Sequence, residues 1–158
     1  MSQESNLDVY LTDHMAGSVS AHDLARRAAA NNSGEVAQFF ADLAREIEVD
    51  RKTLADIAAQ LGTRANPLKQ AGAVVAERLS RLKIDHRMTG SPQLSLLLEL
   101  ELLYLGIQGK HTLWRSLEAL GDSRLAGFDF GKLTRRADDQ LAGVEQQRLT
   151  VVRHALAA

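Results

Sequence analysis

The sequence predicts an all-α fold, and three observations lead to that expectation. Alanine, leucine, arginine, glutamate and glutamine dominate the 158 residues, and all five are favourable in helices. No segment alternates apolar and polar residues between turn dipeptides, which is the pattern of a half-buried strand. Residues typical of helix starts and stops stand between long amphipathic stretches. We therefore expect a bundle of long helices.

The first part of the chain contains two long predicted helices. The first extends from Asn6 to Asn31, where the polar run Asn-Asn-Ser-Gly interrupts the apolar periodicity. Ser33 is the expected N-cap of the second helix, Gly34 to Leu61, which ends before Gly62. Because the turn between them is short, these helices should be antiparallel neighbours.

Two prolines mark further helix starts. Asn66-Pro67 and Ser91-Pro92 each place an N-cap residue before a proline at the first helical position. The helices predicted from these signals, and from a cap at Asp129, are a shorter one from Pro67 to about Lys83 and two long ones, Pro92 to Leu120 and Phe130 to Ala157.

The shorter helix belongs to the connection between the second and third long helices. At 1.5 Å per residue it extends about 25 Å, most of the length of the bundle. A helix pair, a lengthwise crossover and a second pair form the connectivity of ferritin-like four-helix bundles. No repeat or linker divides the sequence, so residues 1–158 are predicted to form a single ferritin-like domain.

Two segments also resemble a known family. Residues 10–18, Tyr-Leu-Thr-Asp-His-Met-Ala-Gly-Ser, and residues 105–110, Leu-Gly-Ile-Gln-Gly-Lys, are similar to a group of uncharacterised bacterial ferritin-like proteins. The resemblance extends over nearly the whole chain. It implies a fold and suggests a stress-related redox role, but it names no activity.

Composition excludes several functional classes. The chain has no cysteine, which excludes disulfide scaffolds, zinc-thiolate sites and cysteine nucleophiles. Its 19 basic and 20 acidic residues nearly cancel, so nucleic-acid binding is not expected. The polar, acidic N-terminus lacks the features of a signal peptide, and the most apolar stretch, Leu94 to Ile107, is too short for a membrane span. We expect a cytoplasmic protein.

Polar residues on the apolar stripes suggest a layer inside the bundle. Asp50 interrupts the seam of the second helix, and counting residues from the helix ends places side chains from all four long helices at the same depth. The candidate metal or ligand residues are His14, Glu46, Asp50, His111 and Asp139, with Lys110, Glu99 and Arg148 as pocket or core polar residues. A divergent iron or manganese site is one interpretation. The simpler alternative is a hydrogen-bonded pair that fixes helix register.

Standard di-iron chemistry is disfavoured. Ferritin-like di-iron sites need Glu-x-x-His on two helices, and the residues three before the five histidines are Leu11, Val19, Lys83, Gln108 and Val151. No catalytic residue is therefore assigned, and an enzyme is not expected.

Glycines recur near the same depth. Gly17, Gly106, Gly109 and Gly143 each cost a helix interior about 1 kcal/mol relative to alanine. Tight helix packing explains them most simply, and the alternative is a small pocket beside His14 and Asp50.

Charged residues at the end of the shorter helix form a basic cluster. Its candidate anion-binding residues are Arg78, Arg81, Lys83 and Arg87, with His86 beside them. Acidic residues elsewhere and the lack of interleaved aromatics favour a solvated helix face over an anion site.

Two functions follow from these patterns. Leu94 to Leu105 is apolar nearly all round, which predicts an interface for self-association, as a homodimer, or for a protein partner. A non-catalytic association bundle is therefore the first expectation. The alternative is a divergent metal- or small-molecule-binding bundle that uses the polar layer.

Overall fold

The computed structural model describes residues 5–63 and 91–157, which form four long helices packed together. The helices are α1 (Asn6–Asn31), α2 (Gly34–Gln60), α3 (Pro92–Leu120) and α4 (Phe130–Leu156), and a 3-10 turn, Ser123–Leu125, joins the last two. No strand occurs in these ranges, so the predicted all-α class is confirmed. The shorter predicted helix and the basic cluster lie outside the described residues.

The helix ends follow from local chemistry. Ser5 and Asp8 form a capping box at the start of α1, in which each side chain accepts from the other's backbone N–H. Ser91 caps α3, and Gly121 ends it in the left-handed conformation at φ 64°. Ser33 occupies the expected N-cap position of α2, but its side chain makes no capping hydrogen bond.

The helices form two antiparallel hairpins. Helix α1 packs mainly on α2 and α3 mainly on α4, while α1 also contacts α3 and α2 approaches α4 only locally. At one end of the bundle, the Arg124 guanidinium donates to the Leu61 carbonyl oxygen at 2.9 Å. Arg124 follows α3 and Leu61 follows α2, so α2 and α3 finish at the same end and run parallel.

An apolar core fills the space between the hairpins. On α2 the buried positions follow spacings of three and four residues, which place them on one face of a helix. Burying a large apolar side chain contributes about 1.5–3 kcal/mol relative to exposure. The largest fully buried apolar side chains are Leu11, Phe40, Ile57, Leu100, Leu103, Ile107, Leu113, Trp114, Leu117 and Val144.

The apolar face of α3 is largely covered. Between Leu94 and Leu105 every leucine is buried or half-buried except Leu105, which is 66% exposed. The apolar face of residues 94–105, which suggested an interface, therefore has only one exposed leucine, Leu105. None of the described helices is long and apolar enough to cross a membrane.

Candidate functional site

A charged cluster occupies the middle of the bundle. Asp50 lies in the apolar seam of α2 and is only 3% exposed. The Lys110 ammonium of α3 donates to its Oδ2 at 2.5 Å, and the Arg136 guanidinium of α4 donates to its Oδ1. A buried carboxylate is costly unless it is paired, and here two cations from two other helices pair with it.

Gln140 connects the members of this cluster. Its side-chain amide Nε2 donates to Glu46 Oε2 at 2.9 Å and to Asp50 Oδ2 at 3.3 Å, while its Oε1 accepts from Lys110. The amide therefore uses both its donor and its acceptor, which fixes its orientation. Helices α2, α3 and α4 are joined through polar side chains at this depth.

Burial acts on the charge of Lys110. Its side chain is 14% exposed, and removal from water lowers the pKa of the ammonium below its usual value. The Asp50 carboxylate opposes this shift because it stabilises the charged form. The Arg136 guanidinium nearby acts in the same direction as burial. The ion pair is thus a balance between lost hydration and a close counter-charge.

A pocket of about 360 Å³ adjoins the cluster. Its wall residues come from α1, α2 and α3. The buried lining residues at its inner end are Ile47, Asp50 and Leu54 of α2 and Ile107, Leu113 and Trp114 of α3. The exposed lining residues at its mouth are Asp13, Gly17, Leu105 and Gly106. The lining residues are Asp13, His14, Gly17, Ser18, Ala21, Ile47, Asp50, Arg51, Leu54, Leu105, Gly106, Ile107, Gly109, Lys110, Leu113 and Trp114.

The recurring glycines divide into two groups. A Cβ added at Gly17 or Gly109 would meet no atom within 4 Å, and one at Gly106 would meet only the Ala21 Cβ, at 3.8 Å. These three glycines line the pocket, so close packing does not account for them. A Cβ at Gly143 would lie 3.3 Å from the Phe39 ring, which agrees with the packing interpretation.

His14 lies in the pocket wall. It is half-buried, and its ring packs edge-on against Tyr10 with 4.6 Å between ring centroids. Burial lowers the pKa of the imidazole below 6.5, and the nearby Asp13 carboxylate only partly opposes the shift. Burial thus favours the neutral form of the ring. Among the described contacts, no hydrogen bond joins His14 to Asp50.

The structure separates His111 and Asp139 from the cluster. His111 Nε2 lies 3.2 Å from Asp138 Oδ1 at the bundle surface. The expectation that Asp139 faces the polar layer is wrong, because Asp139 is exposed and the neighbouring Gln140 faces inward. One residue turns an α-helix by about 100°, so a correct depth does not determine the face.

Two other predicted polar residues lie elsewhere in the fold. Glu99 is buried on α3, away from the pocket lining. Arg148 of α4 binds Glu145 through Nε at 2.7 Å and lies 3.8 Å from Glu101, so its contacts are those of a surface ion-pair group.

The donor set does not fit a metal ion. Among residues 5–63 and 91–157, no three His, Asp or Glu side chains lie together as metal ligands. Both oxygens of Asp50 already accept hydrogen bonds from cationic donors, which hold the positions that a metal would need. The chemistry that this site offers is an apolar pocket with hydrogen-bond donors at its inner end.

Sequence reasoning missed Arg136 and Gln140. A signal for Gln140 was present, because Leu133, Ala137, Gln140 and Val144 have the 4–3–4 spacing of a buried seam and all four are buried.

Comparison with known proteins adds no functional information, so the functional argument rests on the site itself. No protein-family model, no curated protein and no solved structure matches the chain.

Proposed function

We propose that this helical bundle binds a small, mainly apolar molecule in the pocket between α1, α2 and α3. One observation carries the proposal. Three glycines line the pocket, and a Cβ at each would meet open space or a single methyl group. Since glycine destabilises a helix interior by about 1 kcal/mol relative to alanine, three such residues around one empty volume indicate a need for that volume.

The lining supports an apolar ligand with one polar end. Ile47, Leu54, Ile107, Leu113 and Trp114 supply apolar wall, and Lys110 stands at the inner end. Pockets that bind small molecules have volumes of roughly 300–1,000 Å³, apolar walls and few polar groups. The volume here is at the lower end of that range.

A second candidate function is self-association. Leu105 is exposed at the pocket mouth, and it could be covered by a second copy of the chain. This would agree with a ferritin-like bundle that forms a homodimer, and the parallel course of α2 and α3 supports ferritin-like connectivity. Sedimentation of the wild type and of Leu105→Gln tests it: a dimer that Leu105→Gln dissociates is expected, and a monomeric wild type would contradict it.

The experiment for the first proposal uses the fluorescence of a tryptophan in the pocket wall. Trp114 is the single tryptophan of the chain and lines the pocket, so its fluorescence reports occupancy directly. Titration with 1-octanol, a neutral apolar probe, is expected to change this fluorescence saturably. Gly109→Leu fills the pocket and should abolish the change.

Gln108→Leu is the matched control. It adds the same side chain to the adjacent, exposed position of α3, outside the pocket lining. The control should bind 1-octanol as the wild type does. Binding that survives in Gly109→Leu, or no saturable binding to the wild type, would overturn the proposal.

A further inference from the structure

At the inner end of the pocket, the Asp50 carboxylate is fully hydrogen-bonded, whereas the Lys110 ammonium is not. Asp50 accepts from Lys110, Arg136 and Gln140, so both of its oxygens are engaged. Lys110 has three N–H donors, and Asp50 and Gln140 take two of them. Within the described residues the third donor has no acceptor, and Lys110 lines the pocket. The inner end therefore offers a donor and no free carboxylate.

The charges are uneven as well. Lys110 and Arg136 share one buried carboxylate, and the next acidic group, Glu46, is exposed, acts on Lys110 more weakly than Asp50 does, and is hydrogen-bonded to the cluster through Gln140. Water weakens the influence of an exposed charge, whereas buried charges interact strongly. Deep in the bundle the cluster thus carries more positive than negative charge.

Other charged groups in the pocket lining do not change this balance at its inner end. Asp13 is exposed on α1, towards solvent. The Arg51 guanidinium binds Glu48 at 2.6 Å, and these two charges offset each other. Burial lowers the pKa of the His14 imidazole, which favours its neutral form.

We infer that the ligand of this pocket is a small apolar monocarboxylate, whose carboxylate accepts from Lys110 at the inner end. The inference rests on the proposed small-molecule function and names its ligand class. The carboxylate would satisfy the third donor of Lys110 and balance the second cation. The apolar part would lie along Ile107 and the glycine positions towards Leu105 at the mouth.

Three probes of equal chain length test the charge at pH 7. Octanoate, 1-octanol and octylamine are each titrated into the wild-type protein while Trp114 fluorescence is recorded. Because hydrogen bonds to an ionised acceptor are about twice as strong as neutral ones, octanoate should bind at least about tenfold more tightly than 1-octanol, and octylamine most weakly. Equal binding of octanoate and 1-octanol, or tighter binding of octylamine, would overturn the carboxylate assignment and leave the pocket function standing.

A variant then assigns the effect to Lys110. Lys110→Gln keeps donors at the site and removes the charge, so the preference for octanoate over 1-octanol should disappear in this variant. Lys52→Gln removes an exposed lysine of α2 outside this pocket and should change neither affinity. A preference for octanoate that persists in Lys110→Gln contradicts the inference.

The two proposals fail differently. If none of the three probes binds the wild type, the pocket function itself is wrong. If Lys110→Gln does not fold by circular dichroism, the three-probe comparison on the wild type still decides the ligand class, because it needs no substitution.

Discussion

Two layers of the bundle, two helical turns apart, differ in the chemistry of their buried side chains. Around Asp50 the interior holds charged groups from three helices, whereas seven residues further along α2 and α3 it holds Ile57 and Leu117. The apolar layer needs only side chains of suitable volume. The charged layer is stable only if every partner is present, and the pocket lies beside it. Space and polarity are thus concentrated at one depth of the bundle.

The largest expected effect comes from removing the central charge. Asp50→Ala leaves Lys110 and Arg136 without their buried counter-charge, and breaking such a cluster costs about 3–5 kcal/mol. The free energy of unfolding, measured with urea, should fall by that amount. A loss below about 1 kcal/mol would show that water already reaches the cluster, which would remove the contrast between the layers.

A triple variant sharpens this comparison. Replacing Asp50 with leucine, Lys110 with methionine and Arg136 with leucine removes the three charges from the layer, while the buried Gln140 keeps its hydrogen bond to Glu46. Apolar replacement of a whole buried ionic cluster is often neutral or stabilising, so the variant should be at least as stable as the wild type. Marked destabilisation of the triple variant would mean that the layer's stability depends on its charges.

Glycine substitutions compare open space with packed space. Gly109→Ala adds a methyl group where nothing lies within 4 Å, so it should raise stability by about 0.5–1 kcal/mol through helix propensity. Gly143→Ala brings a Cβ to 3.3 Å from the Phe39 ring, and the gain should be smaller or become a loss. Thermal unfolding of the two variants measures the difference. Equal shifts in Tm would contradict the distinction between pocket and packing glycines.

The smallest effect concerns pH. Because burial lowers the pKa of His14 below 6.5, the unfolded chain binds a proton more readily than the folded one. The His14 contribution is fully present above pH 6.5 and is lost as the pH falls towards the lowered pKa. In urea titrations from pH 7.5 to 5.5, wild-type stability should decline more steeply than that of His14→Gln. Parallel declines would show that His14 remains hydrated in the fold.

Much of the fold was predictable because its signals are local. Ser91 before Pro92, a left-handed Gly121 and the cap at Asp129 each act within a few residues, and the predicted ends of the four helices agree with the structure to within one residue. The direction of α2 against α3 was also expected. The sequence between the second and third long helices is long enough to cross the length of the bundle, and such a crossover makes the two helices parallel.

The site was less predictable because it depends on helix rotation and on long side chains. Asp50 was singled out because a carboxylate interrupts an apolar seam. Arg136 is half-buried and reaches Asp50 through a flexible side chain, so its position in the sequence resembles that of a surface residue. The partner of a buried charge is determined in three dimensions by which side chain can reach it.

The local approach of α2 to α4 has a consequence for how the molecule opens. At this seam Asp50 and Glu46 face Arg136 and Gln140, all of which regain hydration if the helices separate. Opening between α1 and α2 would instead expose residues such as Leu11 and Phe40 to water. Local separation of α2 from α4 should therefore require less free energy than separation of α1 from α2, and amide hydrogens at the α2–α4 contact should exchange faster than those at the α1–α2 contact.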